Sequence, residues 1–260
     1  MSLTTGRGPL SDRPAGRFSA PVPAGVRYVE PYRRRVRAMV GDRTVVDSER
    51  VVLVHRPGAP PAYAFPPEDV AADGTGVEPE PEDAAPGFVR VAWDAVDAWY
   101  EEDEQVHGYH PRNPYHRVDC VRTSRRLQVE VAGTVLVDTT ETIGVYETAL
   151  EPRLYVHPDR VRRDLLIASP TRTYCGYKGT AWYWSAVVDD QVIEDVAWSY
   201  EDPMPEVGLL RRLLSFDEAR VQVRTELPAP APVSPSPSPS PSPSPSPSPS
   251  PSPSPAPGPG

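Results

Sequence analysis

The residues of this chain best suited to chemistry sit in one stretch, Thr171-Arg-Thr-Tyr-Cys-Gly-Tyr-Lys-Gly-Thr-Ala-Trp-Tyr-Trp184. It holds Lys178, the single lysine among 27 Lys and Arg residues, and Cys175, one of two cysteines. Where arginine does almost all the cationic work, a lysine marks a place for a compact, tunable ammonium rather than a planar, permanently charged fork. The plain alternative is a lysine whose stem packs on the neighbouring rings. Two chemistries fit. Aromatic faces with a cation and a few hydroxyls line small-ligand pockets. On that reading Thr173, Cys175, Tyr177, Lys178 and Tyr183 form a site with Asp159, Trp198 and Tyr200, and Lys178 meets an anionic group of a small molecule or peptide. In the other reading Cys175 and Lys178 are catalytic. The ammonium lowers the thiol pKa from three residues away, or a desolvated Lys178 acts as nucleophile or proton shuttle, with His157 and Asp159 as a source of base. A third reading is purely structural: the rings fill a β core.

Composition narrows the partners. The net charge of −9 argues against nucleic acid. Arg33-Arg-Arg35 with Arg37 reads as the solvated face of a strand whose other face carries Val36, Ala38 and Val40. Two cysteines make neither a disulfide framework nor a metal quartet, so no metal or other cofactor is expected and a reducing cytoplasm fits. Neither a membrane-length apolar run nor a signal-peptide core is present. No Ser-His-Asp order, phosphate loop or dinucleotide fingerprint occurs. Residues 1–26 are rich in Gly, Pro, Ser and Arg and read as disordered. Residues 225–260 become an almost pure Ser-Pro repeat, read as a disordered, polyproline-like spacer that a proline-reading domain could dock.

The elements that must position the site come from an internal repeat. Arg34-Arg-Val-Arg-Ala-Met-Val-Gly-Asp-Arg-Thr-Val-Val-Asp-Ser48 matches Arg125-Arg-Leu-Gln-Val-Glu-Val-Ala-Gly-Thr-Val-Leu-Val-Asp-Thr139 without gaps at an offset of 91. Two tandem copies are expected, 27–119 and 120–224. Each reads as strands: Leu127, Val129 and Val131 alternate with polar residues, Ala132-Gly133 turns, and Val135 and Val137 return. Further strands fall at Thr142–Glu147, Arg153–Val156 and Arg220–Val223, with a hairpin across Asp189-Asp190. A short helix starts at Pro205 and runs through Leu214. In the first copy, Trp93, Val96 and Tyr100 read as one helical face, and Asp73–Gly87 as a solvated acidic loop. Val91-Ala-Trp93 aligns with Val196-Ala-Trp198, and Arg117-Val118 with Arg220-Val221. The first copy then lacks the segment that carries Cys175 and Lys178.

Four pieces of the second copy resemble the bacterial domain of unknown function 427: Val135-Leu-Val-Asp138, Pro158-Asp-Arg-Val161, Thr171 to Gly179, and Val196-Ala-Trp-Ser-Tyr200 with Asp202-Pro203. They span about 100 residues, and Cys175-Gly-Tyr-Lys-Gly179 is the most specific. The family commonly places proline where this chain has Gly176. The tandem arrangement with a degenerate first copy resembles actinobacterial members. The resemblance implies a mainly β fold of two tandem antiparallel β-tent-like domains with one or two short helices. β-Tent proteins often hold zinc on two Cys-x-x-Cys pairs, and this chain has none. A nucleotidyltransferase-like label attached to the family finds no support in the residues. Asp189, Asp190, Glu194 and Asp195 come without a phosphate-binding turn.

Overall fold

The computed structural model describes residues 3–71 and 73–228 of the chain. The alternating Val- and Leu-rich runs fold as short antiparallel strands. These are β1 Tyr28–Pro31, β2 Val36–Val40, β3 Arg43–Ser48, β4 Val52–His55, β5 Ala62–Ala64, β6 Glu80–Pro81, β7 Val89–Arg90, β8 Ala98–Glu101 and β9 Glu104–Val106, followed by β10 Val118–Thr123, β11 Arg126–Val131, β12 Thr134–Thr139, β13 Thr142–Glu147 and β14 Arg153–Val156. The chain continues through β15 Leu166–Cys175, β16 Gly179–Val188, β17 Gln191–Tyr200, β18 Leu214–Phe216 and β19 Gln222–Glu226. The protein is therefore mainly β, and among the described residues only short 3₁₀ turns interrupt the strands. No helix there is long and apolar enough to cross a membrane. The Ser-Pro repeat lies outside the described residues.

Hydrogen-bond register repeats at the offset seen in the sequence. The β2–β3 ladder slips between Ala38 and Met39, and the β11–β12 ladder between Val129 and Glu130. Arg35 grips Asp47 with two hydrogen bonds, as Arg126 grips Asp138. Isolated bridges join Val46 to Val70 and Val137 to Val161. Each hairpin takes a third strand on its free edge, β8 on β2 and β19 on β11. The sheet β1-β4-β5 recurs as β10-β13-β14, but there it widens to seven strands in the order β10-β13-β14-β18-β17-β16-β15.

Register also corrects the alignment of the copies. Phe65 bridges Val89, and the residue at the same offset from Phe65, Val156, opposes Leu214. Val91 therefore corresponds to Phe216, not Val196, and β15, β16 and β17 lie wholly inside the segment that the first copy lacks. The closing strand of the first copy is β8, whose Trp99 opposes Ala38 as Val223 opposes Val129. Arg117-Val118 leads instead into β10. Three-residue Val-Ala-Trp matches are too short to fix a register that ladder hydrogen bonds determine.

Three helical or loop expectations change with it. Trp93–Ala95 is one 3₁₀ turn, and Ala98–Glu101 is strand. Alternation puts Trp99 and Glu101 inside, where Glu101 accepts from the Tyr63 hydroxyl and pairs with Arg34. The turn at Pro205 stops at Leu210, and Leu214 belongs to β18. The acidic loop is not solvated throughout, because Val77, Glu82 and Ala85 are buried.

The apolar core has separate parts. One cluster gathers Val36, Ala38, Leu53, Phe65 and Trp99 of the first half. Leu127, Val129, Leu136, Val196, Phe216 and Val221 form another, between the β12-β11-β19 sheet and one face of the seven-stranded sheet. The opposite face of that sheet carries Ile143, Val145, Tyr155, Ala181 and Tyr200, packed with Val207 and Leu210 of the 3₁₀ turn. This last face bears the candidate site.

Candidate functional site

Directly opposed residues of an antiparallel pair point to one side, and the next pair points to the other. Thr173 opposes Ala181, Cys175 opposes Gly179, Ala181 opposes Tyr200, and Tyr183 opposes Trp198. Thr173, Cys175, Tyr183, Trp198 and Tyr200 thus share the inner face. Trp182 and Trp184 share the outer one, where Trp184 packs on the inter-sheet core and Trp182 lies 3.8 Å beneath the Arg172 guanidinium. The hairpin β16–β17 turns through Asp189 and Asp190, both left-handed, the geometry two-residue hairpins favour.

The inner face and the strands β13 and β14 enclose a cavity of about 440 Å³. Val145, Tyr155, Tyr183, Trp198 and Tyr200 wall it, and Glu147 and Lys178 also line it. The Trp198 indole N–H donates to the Tyr155 hydroxyl at 2.9 Å, and the Tyr183 hydroxyl lies 3.1 Å from Thr173 Oγ1. Tyr200 is 4% exposed, and no described group hydrogen-bonds its hydroxyl. Burial raises the pKa of Tyr155 and Tyr200, so both remain neutral donors across the ordinary pH range. The mouth is formed by the more exposed Leu150, Glu151 and Arg153.

Lys178 reaches the cavity from the tight β15–β16 connection. Its amide donates to the Cys175 carbonyl at 3.2 Å, and its carbonyl accepts from Met204 N at 3.2 Å. Gly179 follows at φ +99°, and a Cβ there would lie 3.3 Å from the Asp202 carbonyl oxygen. Gly179→Ala is expected to cost about 1–3 kcal/mol through backbone strain and this close approach, read as a lower urea midpoint.

Lys178 is 8% exposed, and its ammonium donates to Glu147 Oε2. The other carboxylate oxygen accepts from His116 Nε2 at 2.9 Å. Burial alone would raise the Glu147 pKa. The His116 hydrogen bond and the Lys178 charge outweigh it and hold the carboxyl at about 2. His116 in turn stacks on Tyr177, with ring centroids 3.7 Å apart. The Tyr177 hydroxyl accepts from the Asn113 amide at 2.9 Å, and burial pushes its pKa up to about 12. The network therefore runs from the stretch between the two halves, through a buried carboxylate, to the single lysine.

The expected residues divide as follows. Lys178, Tyr183, Trp198 and Tyr200 line the cavity. Thr173 holds the Tyr183 hydroxyl, and Cys175 shares the inner face at the end of β15. Tyr177 lies behind the ion pair as a stacking support for His116. Asp159 stands apart, exposed on the 3₁₀ turn Pro158–Arg160 with His157 Nδ1 at 3.3 Å. Glu147, Tyr155 and Arg153 escaped the sequence reading, as did His116 and Asn113. The free thiol of Cys120, whose pKa burial raises, opposes Val145 on the same inner face.

The offset of 91 exposes a second relation. Arg56 stands where Glu147 stands, one residue past β4 as Glu147 ends β13, and Arg56 pairs with the buried Glu82. Both halves thus tie the end of the same strand to a later segment by an ion pair, with the charges reversed. An ion pair at this strand end thus recurs, while the aromatic cavity belongs to the widened sheet.

A mainly antiparallel β architecture whose ladders recur at a fixed offset, with an aromatic cavity in its second part, defines the class of protein. Residues 28–84 and 119–226 match the family model described as Domain of unknown function (DUF427), and the chain belongs to this family. No curated protein matches it. His116 and Asn113 fall between the two matched segments.

Proposed function

We propose that residues 120–224 form a small-molecule-binding module and that the inner-face cavity is its site. The Tyr200 hydroxyl carries this reading. It is a donor on a buried side chain, it borders a cavity of about 440 Å³, and no described group hydrogen-bonds it. The hydroxyl faces the cavity, where a ligand acceptor can meet it. Tyr155, Tyr183 and Trp198 supply ring surface around it, and Trp198 and Tyr155 fix each other by their hydrogen bond. Aromatic surface with a few oriented polar groups is what small-ligand sites present.

In this reading Lys178 supports the site. Its charge is neutralised by Glu147, and the pair holds the β15–β16 turn against β13. The catalytic alternative asks for a free amine or a thiol facing a base, whereas the Lys178 ammonium is bound to a carboxylate and His157 and Asp159 are elsewhere. Thermal-shift screening against small metabolites tests the proposal, with Tyr200→Phe as the matched variant. Ligands that stabilise the parent should bind Tyr200→Phe about tenfold more weakly, near one hydrogen bond's worth, while the free variant melts close to the parent. Equal binding to both proteins, or no stabilising compound, would remove the proposal's basis.

A further inference from the structure

The cavity's charges point to its ligand. Four charged side chains line it: Glu147, Glu151, Arg153 and Lys178. Glu147 and Lys178 neutralise each other in a buried pair, and Glu147 is held further by His116. Glu151 pairs with Arg7 at the surface. Arg153 has the weakest attachment of the four. Its carboxylate neighbour, Glu218, is 3.8 Å away, beyond hydrogen-bond length, and its contact with the Phe216 carbonyl is 3.5 Å. The Arg153 side chain is 42% exposed, and its guanidinium lies 5.3 Å from the centroid of the Trp198 ring. The positive charge least held by the protein's own groups is therefore the Arg153 guanidinium, at the mouth beside an aromatic wall, while the donor on the buried side chain is the Tyr200 hydroxyl.

We propose that the ligand is a planar, ring-bearing carboxylate. Its ring lies among Tyr183, Trp198 and Tyr155, a ring substituent accepts from the Tyr200 hydroxyl, and its carboxylate meets Arg153. Arg153, not Lys178, reads the negative charge. A guanidinium offers a planar fork that matches a carboxylate with two parallel hydrogen bonds, and it can do so while stacked on an indole. A carboxylate placed by Lys178 would have to displace Glu147 from a buried pair, which is costly. This inference rests on the reading of the cavity as a binding site.

The test uses three small probes of one shape: benzoate, benzamide and benzylamine. Dissociation constants are measured on the full chain by ligand-observed NMR titration, with Arg153→Gln and the remote surface variant Arg220→Gln. The expected result is benzoate binding at least about tenfold tighter than benzamide and benzylamine, a ratio worth about 1.4 kcal/mol. Arg153→Gln should abolish the preference while retaining benzamide binding, and Arg220→Gln should preserve it. Benzamide or benzylamine binding as tightly as benzoate would overturn the charge assignment and leave the cavity a binding site. A benzoate preference that survives Arg153→Gln would overturn the role of Arg153. Failure of all three probes to bind would overturn the inference together with the reading beneath it.

Discussion

Glu147→Ala is expected to lose about 3–5 kcal/mol of folding stability, the largest effect of any single change at the site. The substitution leaves the Lys178 ammonium buried without its carboxylate and removes the acceptor of His116 Nε2. Denaturant unfolding should show a lower midpoint with an unchanged slope. Lys178→Ala should cost less, because Glu147 keeps the His116 hydrogen bond. It will not be silent, since the lysine is an integral buried ion-pair partner and not a free cation awaiting a ligand. The first half of the chain supplies a further check, because Arg56 and Glu82 hold the related position with reversed charges. The exchange Glu147→Lys with Lys178→Glu should accordingly be more stable than either single change. A Glu147→Ala protein within about 1 kcal/mol of the parent would contradict the idea that this pair closes the fold.

Acid should reveal the same carboxylate. Glu147 titrates at about 2 in the folded protein, against an ordinary value of 4.5. A depressed folded-state pKa means that the unfolded chain takes up the proton first. The stabilisation is fully present above about 4.5 and is lost as pH falls from there towards 2. The depression is worth on the order of 3 kcal/mol. Other paired carboxylates, Asp69 and Asp138 among them, are also depressed and add to the acid slope of any variant. The informative quantity is the difference between parent and Glu147→Gln, from denaturant unfolding at a series of pH values. That difference should shrink between pH 4.5 and 2. A constant difference across this window would mean that Glu147 does not titrate as the buried acceptor of His116 and Lys178.

The repeat was legible because it rests on local pattern. The alternation from Leu127 to Val131, the Ala132-Gly133 turn and the matching run around Ala38 fix two hairpins, and the ladders bear this out. The hairpin across Asp189-Asp190 was equally readable. What failed was longer-range. Trp93, Val96 and Tyr100 are three or four residues apart, a helical spacing, yet alternation around Trp99 and the hydrogen bonds of β8 to β2 make that segment strand. Val91-Ala-Trp93 resembles Val196-Ala-Trp198 letter for letter, but the bridge from Phe65 to Val89 assigns Val91 a different counterpart.

At the cavity, sequence reasoning named site residues on one face and none from the strands opposite. Thr173, Cys175, Tyr183, Trp198 and Tyr200 share a face because strand period and pairing are local. Glu147, Tyr155 and Arg153 come from β13 and β14, which approach that face only once the seven-stranded sheet has formed. No spacing in the sequence announces that Glu147 will meet Lys178, 31 residues on. His116 was harder still, lying outside both family-matched segments in a stretch that reads as a connector. The lone lysine drew notice for sound chemical reasons, but its partner is the protein's own carboxylate.

The most direct test of the cavity as the binding site is the tryptophan indole N–H region of a ¹⁵N–¹H correlation spectrum, recorded as small molecules are added. The Trp198 signal is identified by its loss in Trp198→Phe, and the Trp182 signal by its loss in Trp182→Phe. Trp198 donates to Tyr155 inside the cavity, whereas Trp182 lies on the opposite face under Arg172. Binding at the proposed site should shift the Trp198 signal and leave that of Trp182 in place. Compounds that shift Trp182 alone, or that bind without moving Trp198, would contradict it.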